Sequence, residues 1–226
     1  MPTTTKQSQF TLPGADNRTA VIGATGTGKT IFGAWLLSKQ RFDKRPWIAI
    51  DFKNEELWDR VGTPPMRELK LGSIPGKRGL YRMRVNPGQE EQFEDWLWKI
   101  WRKENIGLFI DEVSLVPQRN AFKAILRQGR SKLIPVIACT QRPVDCDREV
   151  FSESQFISVF RLDDVRDYKI IKGFTRDAQI EKPLPEFHSY WYDKKNYNLF
   201  HLQAAPSPDI VAASLRGVAP RRLLFG

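Results

Sequence analysis

Gly23-Ala24-Thr25-Gly26-Thr27-Gly28-Lys29-Thr30 decides the reading of this chain. It fits G-x-x-x-x-G-K-[ST], the P-loop whose backbone N–H groups cradle a polyphosphate. Ala20-Val21-Ile22 before it is long enough for a buried strand, and Ile31-Phe32-Gly33-Ala34-Trp35-Leu36-Leu37 after it reads as a helix. Strand, glycine loop and helix come in the order the motif requires. Glycines let the backbone turn its amides toward phosphate, and the helix N-terminus adds partial positive charge there. Gly23 through Thr30 are therefore expected to bind a nucleotide. Lys29 would reach the β- and γ-phosphates, and the Thr30 hydroxyl would bind Mg²⁺.

The chain has 226 residues, enough for one large α/β domain with tails and a full core. Its 41% apolar and 27% charged residues describe a globular body. With 36 Lys+Arg against 26 Asp+Glu, the net charge is +10. A pI near 9.7 favours a polyanionic partner over simple solubility. Cys139 and Cys146 form no C-x-x-C pair and lie far from either His, which argues against a zinc site. Cys139 reads as core and Cys146 as loop, in a reducing compartment. No run of 18 apolar residues occurs, and the first residues lack the apolar core of a signal peptide. The expectation is a cytoplasmic protein without a membrane span.

Residues 1–14 read as a polar lead-in, 15–204 as the body, and 205–226 as a tail carrying Arg216, Arg221, Arg222 and a final Leu-Leu-Phe. Buried strands are expected at Trp47–Asp51, Ile106–Glu112, Ile134–Thr140 and Phe156–Phe160, with a hairpin over Tyr190–His201. Gln89–Lys103 is the clearest helix, placing Phe93, Trp96, Leu97, Ile100 and Trp101 on one stripe. Its acidic start and basic end complement the helix dipole. Trp98 lies off the stripe, at a subunit contact or on the surface. Arg119–Arg130 is also helical, with Phe122, Ile125 and Leu126 inward. Residues 60–85 read as a basic insertion, in which Arg82 and Arg84 alternate with Tyr81, Met83 and Val85 to give a short strand with one basic face. Two readings of this segment stay open: the wall of a DNA channel, or a solvated insertion. Strands alternating with helices predict a mostly parallel sheet covered on both faces. Ligands of such sheets bind at the carboxyl ends of the strands. The glycine loop, Asp111-Glu112 and Thr140-Gln141 all follow strand ends and can converge.

Asp111 ends an apolar strand, as a Walker B carboxylate does, and can hold Mg²⁺ opposite Thr30. Glu112 is then placed to orient or activate a water for attack on the γ-phosphate, making the site an ATPase. Gln141 can sense the γ-phosphate or polarise that water. Arg119, Lys123, Arg127 and Arg130 fall along one helix face. They form either a solvated basic face or the source of an arginine finger for a neighbouring subunit, with Arg130 or Arg127 as the candidates.

Several stretches together resemble the FtsK–HerA translocases. Ile50-Asp51-Phe52-Lys53 looks like the Asp-x-Lys that follows their second strand, and Phe109-Ile110-Asp111-Glu112 like their Walker B. Arg127 through Pro143, ending in Thr140-Gln141-Arg142-Pro143, is similar to their run of Arg-containing helix, strand and Thr-Gln-Arg-Pro. Phe156–Arg161 resembles the strand that follows. The likeness covers roughly residues 18–202 in the right order. It implies a RecA-like P-loop domain and a hexameric motor that moves double-stranded DNA with ATP and Mg²⁺. By position, Lys29 and Thr30 bind nucleotide and metal, Asp111 binds metal, Glu112 is catalytic and Gln141 is the sensor. Arg130 or Arg127 is the finger. A bare motor of this size resembles the genome-packaging ATPases of tailless viruses with internal membranes. That implies a capsid vertex as docking partner and a place in the host cytoplasm or on the virion. Two alternatives stay open. One is a motor for DNA transfer or filamentous-phage assembly and export. The other is an ATP-switched DNA-binding or scaffold protein with little turnover.

Overall fold

The five apolar runs become the middle of one sheet. A computed structural model of the chain describes residues 10–217. Its strands are β1 (Arg18–Ile22), β2 (Pro46–Asp51), β3 (Arg67–Glu68), β4 (Gly79–Arg84), β5 (Gly107–Ile110), β6 (Val136–Thr140), β7 (Phe156–Val159), β8 (Ser189–Asp193) and β9 (Asn198–Leu202). They form a nine-stranded sheet in the order β3-β4-β2-β5-β6-β1-β7-β8-β9. Every pairing from β3 to β7 is parallel, and β8 and β9 close the far edge as an antiparallel hairpin. The helices are α1 (Lys29–Ser38), α2 (Glu56–Val61), α3 (Glu90–Lys103), α4 (Asn120–Gln128), α5 (Glu149–Ser152), α6 (Val165–Thr175) and α7 (Pro208–Leu215).

Successive strand residues point to opposite faces, and both faces here are apolar. Ile48, Ile50, Leu108, Ile110, Val136 and Ala138 join one core with Phe93, Trp96 and Leu97 of α3 and Phe122 and Ile125 of α4. Trp47, Ala49, Phe109, Ile137 and Cys139 join the other with Phe32 and Trp35 of α1, Trp58 of α2 and Val211 of α7. Burying a Val, Leu, Ile or Phe in such a core contributes about 1.5–3 kcal/mol. This is the expected RecA-like α/β architecture, a mostly parallel sheet between two helical layers. Gly33 sets how closely α1 approaches the sheet. A Cβ there would lie 2.7 Å from Cys139 Sγ, so only glycine fits. Glu94, buried on α3, accepts the Ala121 N–H at 2.9 Å and so caps the start of α4.

Several expectations need correction. Gly79–Arg84 is not part of a surface insertion: β4 runs beside β2 over six residue pairs. Nor does β4 carry a basic face. Arg82 is 2% exposed and its guanidinium pairs bidentately with Asp51 Oδ2 at 2.7 and 2.9 Å. The preceding basic residues from Lys77 border the cavity at the amino end of β2, beside Pro46, away from the glycine loop. Trp101 is only half-buried; it meets Trp98 edge-on at 5.7 Å and lies under the Lys132 ammonium at 3.9 Å. Part of the expected tail is a docked helix: α7 buries Val211, Ala212 and Leu215 against α1 and α2. Arg221, Arg222 and the final Leu-Leu-Phe lie outside the described residues, as do residues 1–9 of the lead-in.

Candidate active site at the glycine loop

The parallel register brings the carboxyl ends of β2, β5, β6, β1 and β7 to one edge. The chain leaves β1 through α1 toward β2, on one side, and leaves β6 toward β7, on the other. Connections that part in this way open a crevice at the strand ends, and the glycine loop lies in it. The Gly23 N–H donates to the Thr140 carbonyl at 3.2 Å and the Ala24 N–H to the Arg161 carbonyl at 2.9 Å, so β6 and β7 hold the loop from both sides. The Thr27 hydroxyl donates to the Ala24 carbonyl at 2.8 Å. Gly28 precedes α1 with φ of 90°, a conformation glycine adopts at no steric cost. The first helical bond runs from the Phe32 N–H to the Gly28 carbonyl, 2.9 Å. The amides of the first turn are thus left for an anion. No acidic side chain in that turn competes for them, and Lys29, its first residue, is buried.

Asp111, just past β5, is 1% exposed, and neither carboxylate oxygen has a hydrogen-bond partner. Burial raises its pKa, the charge of Glu55 raises it further, and the nearby Thr30 hydroxyl and Lys53 ammonium oppose them. The result is about 7. A buried, unpartnered carboxylate next to the loop threonine is costly unless a cation completes it. This donor set, one carboxylate and one hydroxyl beside a phosphate cradle, suits Mg²⁺, which keeps several waters and takes few protein ligands.

Glu112, also 1% exposed, is fully engaged. Its Oε1 accepts the Ser114 hydroxyl at 2.8 Å and the Gln141 N–H at 3.3 Å, and its Oε2 accepts Lys53 Nζ at 2.8 Å. Burial lowers the Lys53 pKa, but the bond to Glu112 and the surrounding acids outweigh it and leave it raised. Lys53 is aimed by Asp51. Its Oδ1 accepts the N–H groups of Lys53 (3.3 Å) and Glu55 (3.1 Å) while Oδ2 is held by Arg82. Gln141 completes the chain of contacts: Thr25 of the loop donates its hydroxyl to Gln141 Oε1 at 2.6 Å. The phosphate loop, the end of β6 and Glu112 are therefore linked through one residue, whose side chain meets Thr25 and whose backbone N–H meets Glu112.

The structure thus brings Gly23–Thr30, Asp111, Glu112 and Gln141 together. It does not bring Arg127 or Arg130 to the loop of the same chain. Arg127 pairs with Glu149, and Arg130 pairs at 3.1 Å with Asp16, which precedes β1 at the opposite edge of the sheet. Arg142 does reach the site. It lines a cavity with Ala24, Thr25 and Gln141, and is held by Asp164 at 3.3 Å and Asp167 at 3.2 Å. The sequence reading gave no role to Lys53, Glu55, Arg142 or Phe187. Lys53 carried a signal, since β2 neighbours β5 and a residue just past one strand end faces residues just past the other. Phe187 carried none: Lys182–His188 has no periodicity, and only the fold brings it to Gly28.

A P-loop domain with a paired Asp-Glu after an inner strand and a glutamine after the next defines a RecA-like nucleoside triphosphatase. The comparisons agree. The chain is 36% identical over 214 residues to the DNA packaging ATPase P9 of Enterobacteria phage PRD1, spanning 89% of this chain and 93% of that protein. It therefore belongs to the family of the DNA packaging ATPase P9. The fold resembles that of the genome packaging NTPase B204 of Sulfolobus turreted icosahedral virus 2, solved in complex with ATP-γ-S. The TM-score is 0.66 at 19% identity, covering 84% of this chain and 98% of that one. It also resembles ATPases 2 and 3 of EssC from Geobacillus thermodenitrificans (TM-score 0.62, 12% identity, 90% of this chain and 44% of that one). No protein-family model matches the chain.

Proposed function

We propose that this chain is an ATP-driven motor that moves double-stranded DNA into a preformed viral capsid. One observation carries the reading: a buried, unpartnered Asp111 beside the loop threonine, with Glu112 next to it, in a chain 36% identical to a DNA packaging ATPase. The glycine-loop amides and Lys29 bind the phosphates of ATP. Thr30 and Asp111 hold Mg²⁺, which neutralises phosphate charge when bound. Glu112 orients the attacking water, and Gln141 reports the state of the γ-phosphate to Glu112 and to the loop through Thr25. Catalysis of this kind is positioning and charge stabilisation.

A ring of identical subunits, hexameric by the family likeness, supplies the remaining cation in trans. Arg127 or Arg130 serves as that finger. Both are held by exposed ion pairs, which contribute little and exchange partners at small cost. The net charge of +10 supports DNA as the polyanion, and a capsid vertex is the docking partner. Among the described residues no helix is long and apolar enough to cross a membrane. The test is ATP turnover by the purified chain with and without duplex DNA. Stimulation by DNA, loss in Lys29→Ala and retained binding without turnover in Glu112→Gln are expected. Unchanged turnover in Glu112→Gln would remove that residue from its role.

A further inference from the structure

Beside the phosphate cradle lies a second cavity of about 360 Å³, lined by Gly26, Thr27, Arg161, Leu184, Phe187 and His188. Its volume is that of a small-ligand site. Gly26 and Thr27 belong to both the cradle and the cavity. The cavity lies on the side of β1 away from Asp111, Glu112 and Gln141: Arg161 follows β7, and Phe187 precedes β8. A nucleotide has two ends. In the proposed function its γ-phosphate end lies toward Glu112 and Gln141, which leaves this cavity on the side of the other end.

Phe187 is the aromatic residue among those lining the cavity that faces the glycine loop. It is 44% exposed, and its ring lies 3.3 Å from where a Cβ on Gly28 would stand. The backbone turns sharply here, with the His188 N–H donating to the Pro185 carbonyl at 3.1 Å. That turn holds Phe187 at φ of 62°. Bulky residues avoid this left-handed region, and such strain clusters at ligand sites. An aromatic ring presented to solvent on strained backbone, over the loop that binds phosphate, is suited to stack on a planar ligand.

Resting on the nucleotide-binding reading of the glycine loop, we propose that Phe187 stacks the base of the bound nucleotide and that this cavity is its nucleobase subsite. The polar side chains around it set what it discriminates. The Thr27 hydroxyl is committed to the Ala24 carbonyl. Arg161 is 66% exposed and pairs with Asp163 at 3.3 Å, and His188 is bound to His201 at 2.9 Å. Glu186 also lines the cavity and is exposed, so none of these is a buried free group aimed at a base edge. The subsite reads a ring face and not a hydrogen-bonding edge, so it takes adenine and guanine alike and the smaller pyrimidines less well.

The experiment is titration calorimetry on the full chain with Mg–ATP, Mg–GTP, Mg–CTP and Mg–tripolyphosphate, in the wild type, Phe187→Ala and Phe187→Tyr. Stacking predicts ATP and GTP affinities within a few-fold of each other, and CTP weaker. Phe187→Ala should bind ATP roughly tenfold more weakly, Phe187→Tyr should bind it normally, and tripolyphosphate affinity should be the same in all three. Unchanged ATP affinity in Phe187→Ala would overturn the subsite. So would an equal loss of ATP and tripolyphosphate, because the ring would then act on the phosphate loop through Gly28. If the wild type binds neither ligand, the phosphate reading of the glycine loop fails, and the subsite falls with it. The exposed position of Phe187 leaves the core intact in both variants.

Discussion

Lys53 and Glu112 form an ion pair of 2.8 Å at the adjoining ends of β2 and β5. In the proposed role of Glu112, an Oε2 bound to the ammonium is not free to accept a proton from water, so the paired state would be a resting state. Lys53 is one-third exposed and can be drawn away by an anion at the surface, whereas Glu112 is buried. Lys53→Met should therefore raise turnover in the absence of DNA by several-fold and reduce the further stimulation by DNA. Turnover assayed with and without duplex checks this. A fall in both rates by the same factor would mean instead that Lys53 is needed to hold Glu112 in its working position.

Asp51 and Arg82 form a second pair, at 2.7 Å, and both are buried. Asp51 also organises the turn that aims Lys53. Removing one partner of a buried pair leaves the other charge stranded, at about 3–5 kcal/mol. Arg82→Met should lower the melting temperature by roughly 10 °C, since 1 kcal/mol moves a domain of this size by about 2–4 °C. Because Arg82 does not face solvent, the salt dependence of DNA binding measured below the melting transition should be unchanged. A reduced salt slope would return Arg82 to a DNA-facing role.

The middle of the sheet and the phosphate site were legible because their signals are local. Val21, Phe109 and Ile137 sit in short apolar runs, and each is followed within a few residues by a residue of the candidate site. What escaped reading depends on partners far away in sequence. Arg82 looks like one tooth of a basic face until β4 is placed against β2, which brings Asp51 to it across 31 residues. The α7 segment has an apolar stripe too short to stand out after Pro206-Ser207-Pro208, and its burial comes from α1 and α2. Phe187 reads as an ordinary loop aromatic until the hairpin carries it back to Gly28.

The two cysteines give a test of the fold around β6. Cys139 is fully buried, and burial holds its thiol well above the ordinary range. Burial also pushes Cys146 up to about 12, although a bond to the Thr140 hydroxyl at 3.3 Å opposes it. At pH 8 the reactive thiolate of Cys146 is scarce by about four pH units. Neither cysteine should react appreciably with a thiol reagent in the native protein at pH 8, and both should react once it is denatured. Rapid native labelling of Cys146 would show that the loop after β6 opens readily.

Ligand-induced stabilisation separates binding from chemistry at the glycine loop. A ligand that binds only the folded state stabilises it by about 2.7 kcal/mol at a hundred times its dissociation constant. That corresponds to roughly 5–10 °C for a domain of this size. Mg–ATP should raise the melting temperature by that amount in the wild type and in Glu112→Gln, because Glu112 lies beyond the phosphate cradle. The proposed role of Lys29, meeting the β- and γ-phosphates, predicts almost no shift in Lys29→Ala. Asp111→Asn should differ from both. Without metal, the substitution removes a buried unpartnered charge, so its melting temperature with EDTA should equal or exceed that of the wild type. The additional stabilisation by Mg–ATP over metal-free ATP should be lost. A thermal melt of the four proteins with ATP, with Mg–ATP and with EDTA distinguishes these roles. A full Mg²⁺-dependent shift in Asp111→Asn would move the metal site elsewhere.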